Sequence, residues 1–203
     1  VKDSHGHLVL GRTKWRRFAA VVVPATIAMT ALMGGIASGA TPVALNVSGS
    51  TAMLSADQLQ AWNFKQFPGT VKKPDGTVIP VAATTAERAE ITNLCQSVKV
   101  GPITLFIRGG REPGKPVKAE DLVMGMDYMS GDAVFEKIHI GTDAHHLNSQ
   151  LGEVGGFGQN ADKATVNGVN QRFYSTYAGK FYLTGMSLNL KFDGSECFTT
   201  IKN

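Results

Sequence analysis

KFYLTGMSLNLKF, residues 180–192, is the stretch whose reading decides the fold. Tyr182, Met186, Leu188, Leu190 and Phe192 occupy alternate positions, with Thr184 the only polar member of that set. Gly185, Ser187 and Asn189 fill the positions between them. Side chains alternate across a strand, so this period of two puts one set on each face. The expectation is a strand with a buried apolar face and a wet or polar opposite face.

Working outward, the neighbouring segments also read as strands divided by turns. ATVNGVNQRFYSTYA (164–178) is expected to pair with 180–192 around Ala178 and Gly179. ITLFIRG (103–109) is short and apolar, and REPGKP (111–116) reads as a turn. VKAEDLVMGMDYM (117–129) and GDAVFEKIHIG (131–141) read as two long strands separated at Ser130-Gly131-Asp132. VKKPDGTVIP (71–80) holds Pro-Asp-Gly, a good turn between two short strands. VALNVSG (43–49) alternates and reads as a first strand. Trp62, Phe64 and Phe67 cluster ahead of Pro68-Gly69 and are expected in the core. LGEVGGFGQNAD (151–162) reads as a Gly-rich connection, and its Gly spacing is not that of a phosphate loop.

One segment departs from this pattern. In TTAERAEITNLCQSV (84–98), Thr84 with Glu87 fits a capping box, and Ile91, Leu94, Cys95 and Val98 fall at i, i+3, i+4, i+7. It is the expected single soluble helix. The fold class is therefore mainly β, an antiparallel sandwich, half-barrel or solenoid with one short helix.

The opening RRFAAVVVPATIAMTALMGGIASGATP (16–42) sets the location. Residues 18–40 carry no charge and follow Arg12, Lys14, Arg16 and Arg17. A bilayer core needs about 20 apolar helical residues, and cationic flanks stay in the cytoplasm. Ser38-Gly39-Ala40 also offers the small residues of a signal cleavage site. The length of the run favours retention. The expected organisation is a basic cytoplasmic tail (1–17), a single-pass anchor (18–40) and an extracytoplasmic β-rich domain (41–203). Ala31, Gly35 and Gly39 recur every four residues, a spacing that lets helices approach closely in lipid.

Charge and cysteines refine the class. Residues 1–40 hold five Lys or Arg against Asp3 alone, whereas residues 41–203 hold 15 Lys or Arg and 15 Asp or Glu. The basic balance belongs to the tail, and the neutral domain shows no basic run of the kind nucleic acid requires. The two cysteines, Cys95 and Cys197, both follow the apolar run. Outside the cytoplasm a disulfide is the default reading.

The chemistry candidates are thin. His139, Asp143 and His145 are metal-ligand types placed close together, but no fourth ligand is in view and no cofactor is expected. No G-x-S-x-G elbow occurs. Ser130, Ser175, His139, His145 and His146 could form a triad only through the fold, and nothing singles out one set. Met124, Met126, Met129 and Met186 make a Met-rich β region, candidate contacts for a flexible acyl chain or simply core.

LCQSV (94–98), GDAVFEKIHIGTDA (131–144), GGFGQNAD (155–162), YAGKFYLTGMSL (177–188) and SECF (195–198), together with the basic and apolar N-terminal segment, carry a resemblance. The chain resembles a family of uncharacterised actinobacterial membrane-anchored envelope proteins, some of whose members bear the automatic label "cholesterol esterase". The resemblance covers nearly the whole chain. It places Cys95 and Cys197 inside matching motifs, which supports their pairing. It implies a small multi-spanning membrane protein as a partner, and its label implies a lipid or sterol ester hydrolase. The residues favour a non-enzymatic envelope protein at the cell membrane whose β domain forms a homo-oligomer. A lipid-binding or lipid-transfer domain is the alternative, and a hydrolase the second alternative.

Overall fold

The structure, a computed structural model, describes residues 45–46 and 50–199. The 1–17 tail, the 18–40 anchor and its Ala31, Gly35 and Gly39 face lie outside the described residues. Among the described residues no helix is long and apolar enough to cross a membrane.

Strand-forming sequence dominates. The strands are β1 (Leu45–Asn46), β2 (Ala52–Lys72), β3 (Val78–Thr92), β4 (Leu94–Val100), β5 (Ile103–Gly109), β6 (Val117–Glu136), β7 (His139–Asp143), β8 (Phe157–Tyr177), β9 (Lys180–Tyr182) and β10 (Ser187–Lys191). One helical turn, α1 (Ala144–Leu147), follows β7. β2 pairs with β3, β3 with β6, β6 with β8, and β8 with β2 again, all antiparallel. The four longest strands thus close a barrel. β4, β5 and β10 continue outward from the N-terminal end of β2, β7 extends β8, and β1 runs parallel to the end of β2.

A straight strand of 21 residues would reach about 70 Å, well beyond the width of a domain this size. The strands therefore bend, and they bend together. Inward-facing residues step by three at one level of each: Ala119 to Leu122, Ala86 to Ala89, Ala61 to Phe64, Ala161 to Ala164, all buried. Ala164, Ala61, Ala89 and Ala119 stand directly opposite one another. The paired ladder skips Glu87 with Asp121, and Asn63 and Asp121 take positive φ of 52°. This is a crease across the sheet that lets two consecutive residues of each strand face out. The outward row reads Glu120, Arg88, Trp62, Lys163, Glu136. The Arg88 guanidinium lies 3.9 Å from the Trp62 ring centre and Lys163 Nζ 5.1 Å from it. Trp62 is therefore a surface plate held between cations, while Phe64 and Phe67 are buried as expected.

A second crease bears on the expected helix at 84–98, which does not form. Residues 84–98 lie in β3 and β4, joined at Asn93 with φ of 53°. Asn93 donates its backbone N–H to Gly110 O at 2.8 Å, and its side-chain amide donates to Asp57 Oδ1 at 3.1 Å. The left-handed residue inverts the strand's phase, so Ile91 and Leu94 both point into the core. A strand with such a kink mimics the i, i+3 spacing of a helix. Thr84 and Glu87 are not a capping box; they sit beside the first crease.

Three other expectations change. Ser130-Gly131-Asp132 is not a turn, because β6 runs through it with a register shift against β8. Gly131 has φ of 145°, and a Cβ there would come within 2.7 Å of Asn167 O. Residues 164–178 and 180–192 do not pair with each other: β9 pairs with β6, and β10 with β5. Residues 157–162, read as part of a connection, already belong to β8. The turn at 73–77 forms as read, with Asp75 Oδ1 accepting the Thr77 N–H at 2.9 Å, but it joins strands of 21 and 15 residues, not short ones.

Candidate functional site: an open apolar shelf backed by a disulfide-bonded strap

The inner face of the barrel does not end where the barrel closes. One row runs Phe173, Ala52, Val98, Leu105, Leu190 across β8, β2, β4, β5 and β10. A second runs Gln171, Leu54, Gln96, Ile107, Leu188 across the same strands. Burial falls steadily along them. Phe173 is 4 % exposed and Leu54 5 %; Leu105 and Ile107 are half-buried; Leu188 is 54 % and Leu190 57 % exposed. The core spills onto a shelf that nothing among the described residues covers. The single strand expected over 180–192 does not form: a turn at 183–186, with Gly185 at φ 63°, splits it into β9 and β10, and the alternation holds only along β10. Its apolar face is not buried, and Tyr182, Met186 and Phe192 outside β10 are also exposed. Ordinary surfaces expose leucines singly, whereas a contiguous set marks a contact face.

The opposite face of the same strands is covered. Its row is Tyr128, Arg172, Met53, Ser97, Phe106, Asn189. Met53, Ser97 and Phe106 on it are buried. After β10 the chain turns back at Asp193, whose side chain accepts from Ser195 N at 2.9 Å and from Ser195 Oγ. These bonds hold the Asp193 carboxyl below its usual pKa, with Lys191 adding to them. Cys197 is disulfide-bonded to Cys95 on β4, and its N–H donates to Ser97 Oγ at 3.0 Å. The Phe198 ring then stacks against Tyr128 of β6 at 6.1 Å. The tail is a strap from the edge strand back to the barrel wall, fixed at its middle by the disulfide. Cys95 and Cys197 also line a polar crevice of about 270 Å³ with Asp57, Asn93 and Arg108.

The barrel interior is nearly full. About 30 Å³ of free space remains, lined by Phe64, Thr84, Met124, Met126, Met129 and Gln171 among others. That admits a water molecule and not an acyl chain. Met124 and Met126 are buried there, Met129 packs against the same core, and Met186 is exposed on the surface. The Gln171 amide, 1 % exposed, donates to Met126 Sδ at 3.3 Å and to Met124 Sδ at 3.8 Å.

The polar candidates are dispersed. His139 lies on β7 opposite Asn160, while His145 and His146 are in α1, not on a strand. Asp143 caps that turn, accepting the N–H of His145 at 2.8 Å and of Gly155 at 3.1 Å. Those two backbone bonds, in that order, lower its pKa. No group of three metal-ligand residues forms among the described residues. Ser175 stands opposite Gly125 and Ser130 opposite Asn170, five residues apart on β8, or roughly 17 Å. Neither shares a rung with a histidine. The cluster that sequence reading missed is Asp127, which takes a two-pronged bond from Arg172 at 2.8 and 2.9 Å and a third from the Tyr174 hydroxyl at 3.1 Å. Burial first, and the Asp127 carboxylate second, raise the Tyr174 pKa.

Acid is expected to loosen the α1 turn. A depressed folded-state carboxyl pKa stabilises above the unfolded value of about 3.9 and ceases to as pH falls through the folded value. Amide-exchange protection at His145 and Gly155 should be intact at neutral pH and fall away below about pH 4. An Asp143→Asn variant should abolish that acid dependence.

Fold and surface together define a class: an antiparallel β-barrel domain with an apolar shelf and a disulfide-bonded C-terminal strap. The chain belongs to the family of unknown function DUF6230, whose model matches residues 48–198. No curated protein matches the chain. No solved structure matches it.

Proposed function

We propose that this chain is a non-enzymatic protein of the cell envelope, held in the membrane by residues 18–40, whose extracytoplasmic barrel assembles with copies of itself. The observation that supports this reading is the uncovered shelf. A domain with balanced charge that leaves Leu188 and Leu190 more than half exposed beside its own core has a face made for contact. A retained apolar segment would bring copies into one plane, and its Ala31, Gly35 and Gly39 spacing suits lateral packing. The Cys95–Cys197 bond fits an oxidising compartment.

The same shelf favours lipid binding as the second reading, since Leu105, Ile107, Leu188 and Leu190 offer a surface where the filled interior offers none. Native mass spectrometry of the full chain released from membranes separates the two. Assembly predicts discrete oligomers. Monomers carrying bound phospholipid would replace the first reading by the second, and bare monomers would remove both.

A further inference from the structure

We infer that β10 is the seam at which two copies join, by antiparallel pairing of β10 with β10 of a second chain about a two-fold axis at Leu190. This rests on the self-assembly reading above and names the surface that carries it. The outer edge of β10 has no partner among the described residues. An open edge invites another strand, and proteins guard such edges with bulges, proline or lysine. The edge at β7 is guarded: its ladder slips between Ile140 and Thr142 at Gly141, φ 91°. β10 has no bulge and no proline over SLNLK, and its one cation, Lys191, has Nζ 5.1 Å from the Phe106 ring centre on the strapped face.

The sequence of this edge complements itself. With Leu190 opposite Leu190, the antiparallel register sets Leu188 against Phe192 and Asn189 against Lys191. It also sets Ser187 against Asp193. Leucines and phenylalanine, 54–73 % exposed in one copy, then flank each other across the seam. Arg111 donates Nη2 to Ser187 Oγ at 3.4 Å, so the Asp193 carboxylate arriving from the second copy meets a guanidinium. No like charges face each other. The two-fold repeats both contacts, as an isologous interface requires, and joins two shelves into one sheet. A seam over residues 187–193, only 187–191 of which are strand, is small beside the roughly 1,600 Å² of a standard interface. It suits copies already confined to one membrane, where effective concentration is high.

The test uses the full chain in its membrane. Opposed residues of an antiparallel pair lie about 4.5–5.5 Å apart, within disulfide reach, and the native cysteines are already paired. Leu190→Cys should therefore form a disulfide-linked dimer under mild oxidation, while Ile140→Cys on the guarded edge should not. Leu190→Lys should cut dimer at least tenfold while retaining the Cys95–Cys197 bond, which shows that the domain still folds. Asp193→Lys should also weaken dimer, and adding Arg111→Glu to it should restore most of the loss. Wild-type chain that is only monomeric would defeat the self-assembly reading itself. Wild-type oligomers that survive Leu190→Lys, with no Leu190→Cys crosslink, would overturn the seam alone.

Discussion

Replacing both Cys95 and Cys197 by alanine is expected to lower the unfolding free energy by about 2–4 kcal/mol and the melting temperature by roughly 5–15 °C. The bond joins residues 102 apart in sequence, so it removes much of the unfolded chain's freedom. It also closes a strap whose other contacts among the described residues include the Cys197 N–H to Ser97 and the Phe198 ring on Tyr128. Without it, residues 193–199 should become open to proteolysis and the outer face around Met53 and Phe106 should lose its cover, while residues 52–177 stay protected. Urea denaturation of oxidised wild type against the double variant, with limited proteolysis of each, checks both parts. Equal midpoints together with an uncut tail would show that the strap holds itself. Because β10 pairs only with β5 among the described residues, the same bond steadies the edge on which assembly is proposed to depend.

How far the sequence could be read depends on what its periodicities measure. Apolar runs bounded by turn residues were enough to identify 103–109 and most of β6 as strands. Helical spacing misled at 84–98. Asn93 flips the strand's phase between Ile91 and Leu94, and a pattern window sees only the resulting step of three. Gly131 produced the converse error, since a glycine needed for a bulge looks like one needed for a turn. The closure of the barrel was not legible, because the β2–β8 ladder joins residues about a hundred positions apart. The alternation of 182–192 suggested one apolar face, but the turn at 183–186 divides it between β9 and β10, and a pattern cannot say what covers the part that remains. Burial was assumed, and the structure leaves it open. The disulfide came from compartment reasoning rather than local pattern, and the partners do meet. The serines and histidines gave no local signal of a site, and the fold does not bring them onto common rungs.

Truncating the two ends of a single row should give opposite results. Phe173 and Leu190 belong to one line across the sheet, Phe173–Ala52–Val98–Leu105–Leu190, rooted in the barrel and ending at its open edge. Phe173 is 4 % exposed within the main core, so Phe173→Ala removes a ring and leaves a hole that the surrounding strands, closed on themselves, fill poorly. A loss of about 3–5 kcal/mol is expected, read as a large fall in the urea midpoint. Leu190 is 57 % exposed, so Leu190→Ala should move the stability of the isolated domain by no more than about 0.5 kcal/mol. Assembly should show the reverse order at temperatures where both variants are folded: Phe173→Ala still dimerises, and Leu190→Ala loses most of its dimer. A seam at which Leu190 packs beside its own copy predicts that inversion, whereas a shelf that is merely tolerated surface predicts no effect of Leu190→Ala on either measurement. The gradient of burial along the row would then be a gradient of role, from residues that hold the barrel to residues that present it.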